Sequence, residues 1–195
     1  MKKINLDYKP WAIYLSALLI SVYLHEIGHC IPAWAHGFRA VPTPAKEYIS
    51  GDIPMNVKQY VSLGGIVTTI ALTLAAISVF IVTDYRYKSA LLAGVIAVPG
   101  IYTLRFMLVG RGHDATEFQE AQAAMGLDYS GHALDWIFLT LFLAGAVAWI
   151  LRSRPQPRIV VRLAVGLIIT IVFVTGLQEI NNAIFDPVFN YSVPR

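Results

Sequence analysis

One run of sequence constrains this chain more than any other. Between Lys58 and Asp84 lie 25 residues, "QYVSLGGIVTTIALTLAAISVFIVT", without a charged side chain. As an α-helix this run would be about 37 Å long, more than the ~30 Å hydrocarbon core of a bilayer. The rest of the chain agrees with it. Only 14% of the residues are charged, against about 25% in a soluble domain, so a soluble globular fold is excluded. The net charge of +3 is too small to argue for nucleic acid. The basic residues are better read as signals of membrane topology.

Four further apolar runs give five spans in all, at about 11–36, 59–83, 88–110, 132–151 and 160–184. The expected fold is an all-α integral membrane protein of about five transmembrane helices, with residues 1–195 forming a single membrane-embedded domain. Two longer connections separate the spans. Residues 37–58 hold Pro42, Pro44 and Pro54 with "YISGD" between them, which predicts a short hairpin or an irregular loop. Residues 111–131 open with "GRGHDATEFQEAQAAMG", whose latter part predicts a short helix ended by Gly126. Cys30 is the one cysteine, so no intrachain disulfide forms.

The N-terminus has the outline of a signal peptide, with Lys2 and Lys3, an apolar core and "AWA" at 33–35. The polar "HEIGH" between core and "AWA" is unlike the small neutral run that cleavage needs, which favours a retained span. With five spans, one face carries Lys2, Lys3, Lys9, Arg86, Lys88, Arg152, Arg154, Arg158 and Arg162. The other carries Arg39, Lys46, Lys58, Arg111 and Arg195. The positive-inside rule then puts the N-terminus in the cytoplasm and the C-terminus outside the cell membrane.

Within the first span stands "YLHEIGHCIPAWAHGF", residues 23–38. Ionisable groups at membrane depth cost roughly 2.5–3.5 kcal/mol each on insertion scales, so they need partners or a wet cavity. On a helix His25 and His29 are one turn apart and share a face, where two imidazoles can hold one metal ion. Glu26 sits about 100° around the helix, close enough to serve a metal-held water without being a ligand. This is the HExxH arrangement of zinc hydrolases, in which zinc acidifies a water and the glutamate takes its proton. The bland reading is a set of buried polar residues bonded between helices.

A catalytic zinc takes a third protein ligand from the same membrane level. The third span runs in the same direction as the first and ends in "VGRGHDATE", which brings His113, Asp114 and Glu117 to the correct side. "DATE" is also a capping box, with Asp114 as N-cap and Glu117 three residues on. Capping and ligation can coexist on one carboxylate. Asp114, His113, Glu117 and the more distant Glu179 are all candidates.

The motif "HEIGHCIPAWAHGF" resembles the metal-binding helix of the site-2 protease family of intramembrane zinc metalloproteases, which continues with small residues and a glycine, as Ala33, Ala35 and Gly37 do here. "SLGGIVTTIAL" at 62–72 is similar to the family's small-residue segment in the following helix, and "GRGHDATEF" occupies the place of its Asp-Gly motif. The resemblance covers about residues 12–118, the family's three-helix core, and leaves two additional helices at about 132–184. It implies a zinc-dependent intramembrane endopeptidase with one Zn2+ per chain. His25, His29 and Asp114 would be its ligands, Glu26 its general base, and a membrane protein or peptide its substrate. The chain departs from the family in having Ala115 after Asp114, and in a charge count that opens the site outward rather than to the cytoplasm.

A reading from another class is a non-proteolytic metal-binding membrane protein, a transport or assembly subunit. Glu26 separates the two, because a pure binding site needs no base beside its ligands. Elsewhere, Pro99-Gly100 is expected to kink the third span. Gln178, Glu179, Asn181 and Asn182 gather polar groups at the outer end of the fifth, where Glu179 is expected to pair with Arg105 or solvent and the amides to sit at the interface. His36 and His132 are expected at the interface.

Overall fold

The structure, a computed structural model, describes residues 8–110, 115–152 and 159–189. Its elements in chain order are α1 (Lys9–Ala35), a hairpin of β1 (Ala40–Thr43) and β2 (Lys46–Ile49), α2 (Met55–Val82), α3 (Lys88–Val109), α4 (Ala115–Ala124), α5 (Ala133–Arg152) and α6 (Ile159–Ile180). A π-helical turn, Asn181–Phe185, follows α6 without a break. α1, α2, α3, α5 and the stretch Val165–Phe185 are each long and apolar enough to cross a membrane. The chain is an all-α, multi-pass membrane protein, and its spans begin and end within a few residues of the apolar runs.

The helix ends follow local chemistry. Pro10 opens α1 in its first turn, where a missing N–H is harmless. Gly37 closes it in the left-handed region at φ 81°. The Phe38 N–H then reaches back to the Ala33 carbonyl at 3.0 Å and the Gly37 N–H to the Trp34 carbonyl at 3.0 Å, a Schellman cap. α4 ends in the same way at Gly126, φ 70°, as the sequence predicts. α3 runs through Pro99 as one continuous helix.

Small residues set how the helices pack, as expected where lipid supplies no hydrophobic drive between them. Gly28 of α1 and Gly64 of α2 meet so closely that a Cβ on either would strike the other's carbonyl oxygen. Gly94 of α3 takes the backbone of α1 at Tyr14 in the same manner. Among the α-helices of the described residues, α4, with 10 residues, is the one too short to span. It is pinned by Phe118, which is buried between the rings of Tyr102 (6.0 Å between centroids) and Phe138 (5.3 Å). Lys58 bonds Glu120 at 2.8 Å and the Ser62 hydroxyl donates to it at 2.7 Å, so α4 is also tied to α2.

The 37–58 connection is the hairpin. Its strands are antiparallel, with Ala40 opposite Ile49, Val41 opposite Tyr48, Pro42 opposite Glu47 and Thr43 opposite Lys46. Its base is anchored by Ala40 and Ile49, which pack with Cys30 and Ala33 of α1 and Val57 and Val61 of α2.

Candidate metal centre

The last third of α1 turns His25 and His29 towards α2, where both rings find backbone acceptors. The Nδ1–H of His29 donates to the Val61 carbonyl at 2.7 Å, and Nδ1 of His25 lies 2.9 Å from the Gly65 carbonyl. The Thr69 hydroxyl is 2.8 Å from the same His25 nitrogen. Gly65 is required for this arrangement, because a Cβ at that position would run into the His29 ring. Both histidines are 4% exposed.

The carbonyls decide the tautomers. A ring that donates through Nδ1 carries, when neutral, a bare lone pair on Nε2. The two Nε2 atoms point at each other, 3.0 Å apart. Oε1 of Glu117 completes a triangle, 3.6 Å from Nε2 of His25 and 3.4 Å from that of His29. Three electron donors converging in this way call for a cation. The size of the triangle fits one: with bonds of 2.0–2.2 Å, the donors of a tetrahedral zinc stand about 3.4 Å apart. A carbonyl accepting the second ring nitrogen is also the usual support of a metal-ligating histidine, since it holds ring and tautomer in place.

Glu117 is therefore the carboxylate that the described residues bring to both imidazoles. It stands at the third position of α4, where the capping box expects it, with Phe118 beside it anchoring the helix in the core. Asp114 and His113 lie outside the described residues. Glu179 is exposed and stands apart from the cluster. Glu26, 7% exposed, belongs to a second grouping in which oxygens of Glu26 and Glu47 and a nitrogen of His29 all lie within 4.8 Å of one another. Glu47 comes from β2. Its sequence context, a proline-bounded loop, carries no sign of it, because only the docking of the hairpin brings it to α1.

The other polar candidates have structural partners. The His36 Nδ1–H donates to the Pro32 carbonyl at 2.8 Å and the ring stacks on Tyr60, while His132 bonds Asp135 at 3.0 Å. Cys30 is fully buried in the packing of α1, α2 and the hairpin. Asn181 is buried against the hairpin. Gln122, which the sequence does not single out, donates from its amide to the carbonyls of Asp128 and Gly131, both at 3.0 Å, and shapes the turn before α5.

Fold and site together define a polytopic helical membrane protein with a cluster of histidines and carboxylates able to hold a metal ion. No known-family model, curated protein or solved structure matches the chain.

Proposed function

We propose that this protein is a zinc-dependent endopeptidase of the cell membrane that hydrolyses peptide bonds in or near transmembrane segments. The observation that carries the reading is the triangle of His25, His29 and Glu117, with Glu26 beside it on the same helix. His25, His29 and a carboxylate from the 114–117 stretch would hold one zinc per chain. Glu117 is the carboxylate the geometry supports, and Asp114 the one the family resemblance implies. Bound there, zinc would supply Lewis acidity to a water and to the scissile carbonyl.

The remaining work falls to the chain itself. The Glu26 carboxylate accepts the proton of the attacking water and returns it to the leaving amine, a role that needs proximity rather than ligation. The Val61 and Gly65 carbonyls keep both imidazole lone pairs aimed at the metal position. The substrate must unwind locally, because a helix hides its carbonyls. Each strand of the two-stranded hairpin has one edge without a strand partner, on which such a segment would pair. The count of basic residues supports an N-terminus in the cytoplasm and a site towards the outer face.

The test is metal analysis of purified protein together with a Glu26→Gln comparison. About one zinc per chain in both, with peptide hydrolysis in the native protein and its loss in the variant, is the expected result. Hydrolysis undiminished in Glu26→Gln would remove Glu26 as the base, and absence of hydrolysis by the zinc-loaded native protein would remove the peptidase reading.

A further inference from the structure

The mechanism above leaves one buried-side carboxylate unused. An oxygen of Glu47 lies within 4.8 Å of ligand atoms of Glu26 and His29, a group that shares His29 with the His25–His29–Glu117 triangle. Two carboxylates this close repel unless a cation or a proton stands between them. Glu47 differs from the other donors in its support. His25, Glu26 and His29 ride on a packed transmembrane helix, and Glu117 on a helix locked by Phe118 and Glu120. Glu47 rides near the tip of a two-stranded hairpin, a unit that is only marginally stable by itself.

That tip is held from its far side. Strand alternation sends Glu47 to the metal centre and its neighbours Lys46 and Tyr48 away from it. Those neighbours meet the π-helical turn after α6. The Tyr48 hydroxyl donates to Asp186, Lys46 donates to the same carboxylate at 3.3 Å, and the Asn181 amide donates to Tyr48 at 2.9 Å. The Thr43 hydroxyl donates to Asn181 as well.

We propose that Glu47 shuts the centre in the resting protein by standing against Glu26 and His29, where the attacking water would be held, and that the contacts of Tyr48 and Lys46 with Asp186 and Asn181 are the latch that keeps it there. A catalytic zinc keeps one position open for water and substrate. A carboxylate docked beside His29 and Glu26 takes the room of that water, so Glu47 closes the centre. Release of the hairpin tip opens it and frees Glu26 at the same time. The inference rests on the metal-hydrolase reading and adds its regulation.

The test uses acetohydroxamate, a small bidentate metal ligand, titrated against full-length protein loaded with Co2+ and followed by the visible absorption of the metal. A ligand that binds only the open state has its affinity reduced by the fraction of protein that is open. Glu47→Gln should therefore bind acetohydroxamate about tenfold more tightly, or better, with metal content unchanged. Asp186→Asn, at a half-exposed position that tolerates change, should shift affinity in the same direction, and the double variant should gain little more than Glu47→Gln alone. Equal affinity in native protein and Glu47→Gln would overturn the plug. So would loss of metal from Glu47→Gln but not from Glu117→Gln, which would make Glu47 a resident ligand. Failure of the native protein to bind metal at all would instead bring down the metal reading itself.

Discussion

Two parts of the molecule hold their polar groups in opposite ways. In the α1–α2–α4 region the polar side chains are buried and meet helix backbones that glycine has allowed close. His25 and His29 bond carbonyls of α2, and Gly28, Gly64 and Gly65 clear the space. α6 with its π-helical turn lies at the periphery: 17% of Val165–Phe185 is buried against 39% of α1. It is joined to the rest by a few side-chain tethers, Tyr14 with Thr170 and the Gly166 carbonyl, and Asn181 and Asp186 with the hairpin. The first arrangement fixes geometry and tolerates little change. The second makes contacts that can be broken and remade without disturbing the core, which suits a device that must open.

The comparison can be broken most severely at its centre. His25→Ala with His29→Ala should abolish zinc binding altogether, measured as metal per chain after purification, and full retention of zinc would move the site elsewhere. Next in size is Glu26→Gln, expected to lower peptide hydrolysis by about 10²–10⁴-fold with zinc retained. Glu117→Gln should weaken zinc by orders of magnitude, while Asp114→Asn should leave most of it. The reverse pattern in a zinc titration would give the third position to Asp114. Gly65→Ala forces the His29 ring or α2 to move and should cost about 1–3 kcal/mol of stability with a parallel loss of zinc affinity. At the periphery, Thr170→Val should change thermal stability by about 1 kcal/mol or less and leave zinc untouched.

The latch gives a pH signature smaller still. The hydrogen bond from Tyr48, with Lys46 adding to it, holds Asp186 below the usual carboxylate range. Burial, then the bond to Asp186 and its charge, pushes Tyr48 up. A depressed carboxylate stabilises the docked hairpin above its ordinary range and loses that contribution as pH falls through the depressed value. A raised phenol stabilises below its ordinary range and loses it as pH rises. Amide exchange at Thr43–Ile49, corrected for intrinsic rates, should therefore show constant protection between about pH 5 and pH 9 and less on either side. A midpoint near neutral pH would assign the docking to other groups.

Most of the frame is legible in the sequence because one physical property decides it. Uncharged runs such as 59–83 can only be spans, and Gly126 ends α4 where its permissive backbone suggests. His25, Glu26 and His29 are legible as a cluster because their spacing is local to one helix. The carboxylates that join them are harder to read. Glu117 and Asp114 sit in a motif whose acidic residues also serve to cap a helix, so spacing alone does not separate the roles. Glu47 is invisible in the sequence, because its place depends on a hairpin docked between α1 and a turn more than 130 residues away along the chain. The π-helical turn that presents Asn181 to Tyr48 leaves no mark in an apolar run either.

The pairing of the α1 imidazoles with carbonyls of α2 also bears on how the chain enters the bilayer. α1 is synthesised first and carries two histidines and a glutamate at membrane depth, each a burden on insertion. The groups that receive the imidazoles follow later, Gly65 40 residues after His25 and Val61 32 residues after His29, within the most apolar run of the chain. α1 is thus a span whose insertion is completed by its successor. Entry of α1 and α2 as a helical pair is the order that gives both imidazoles their acceptors before α4 is added.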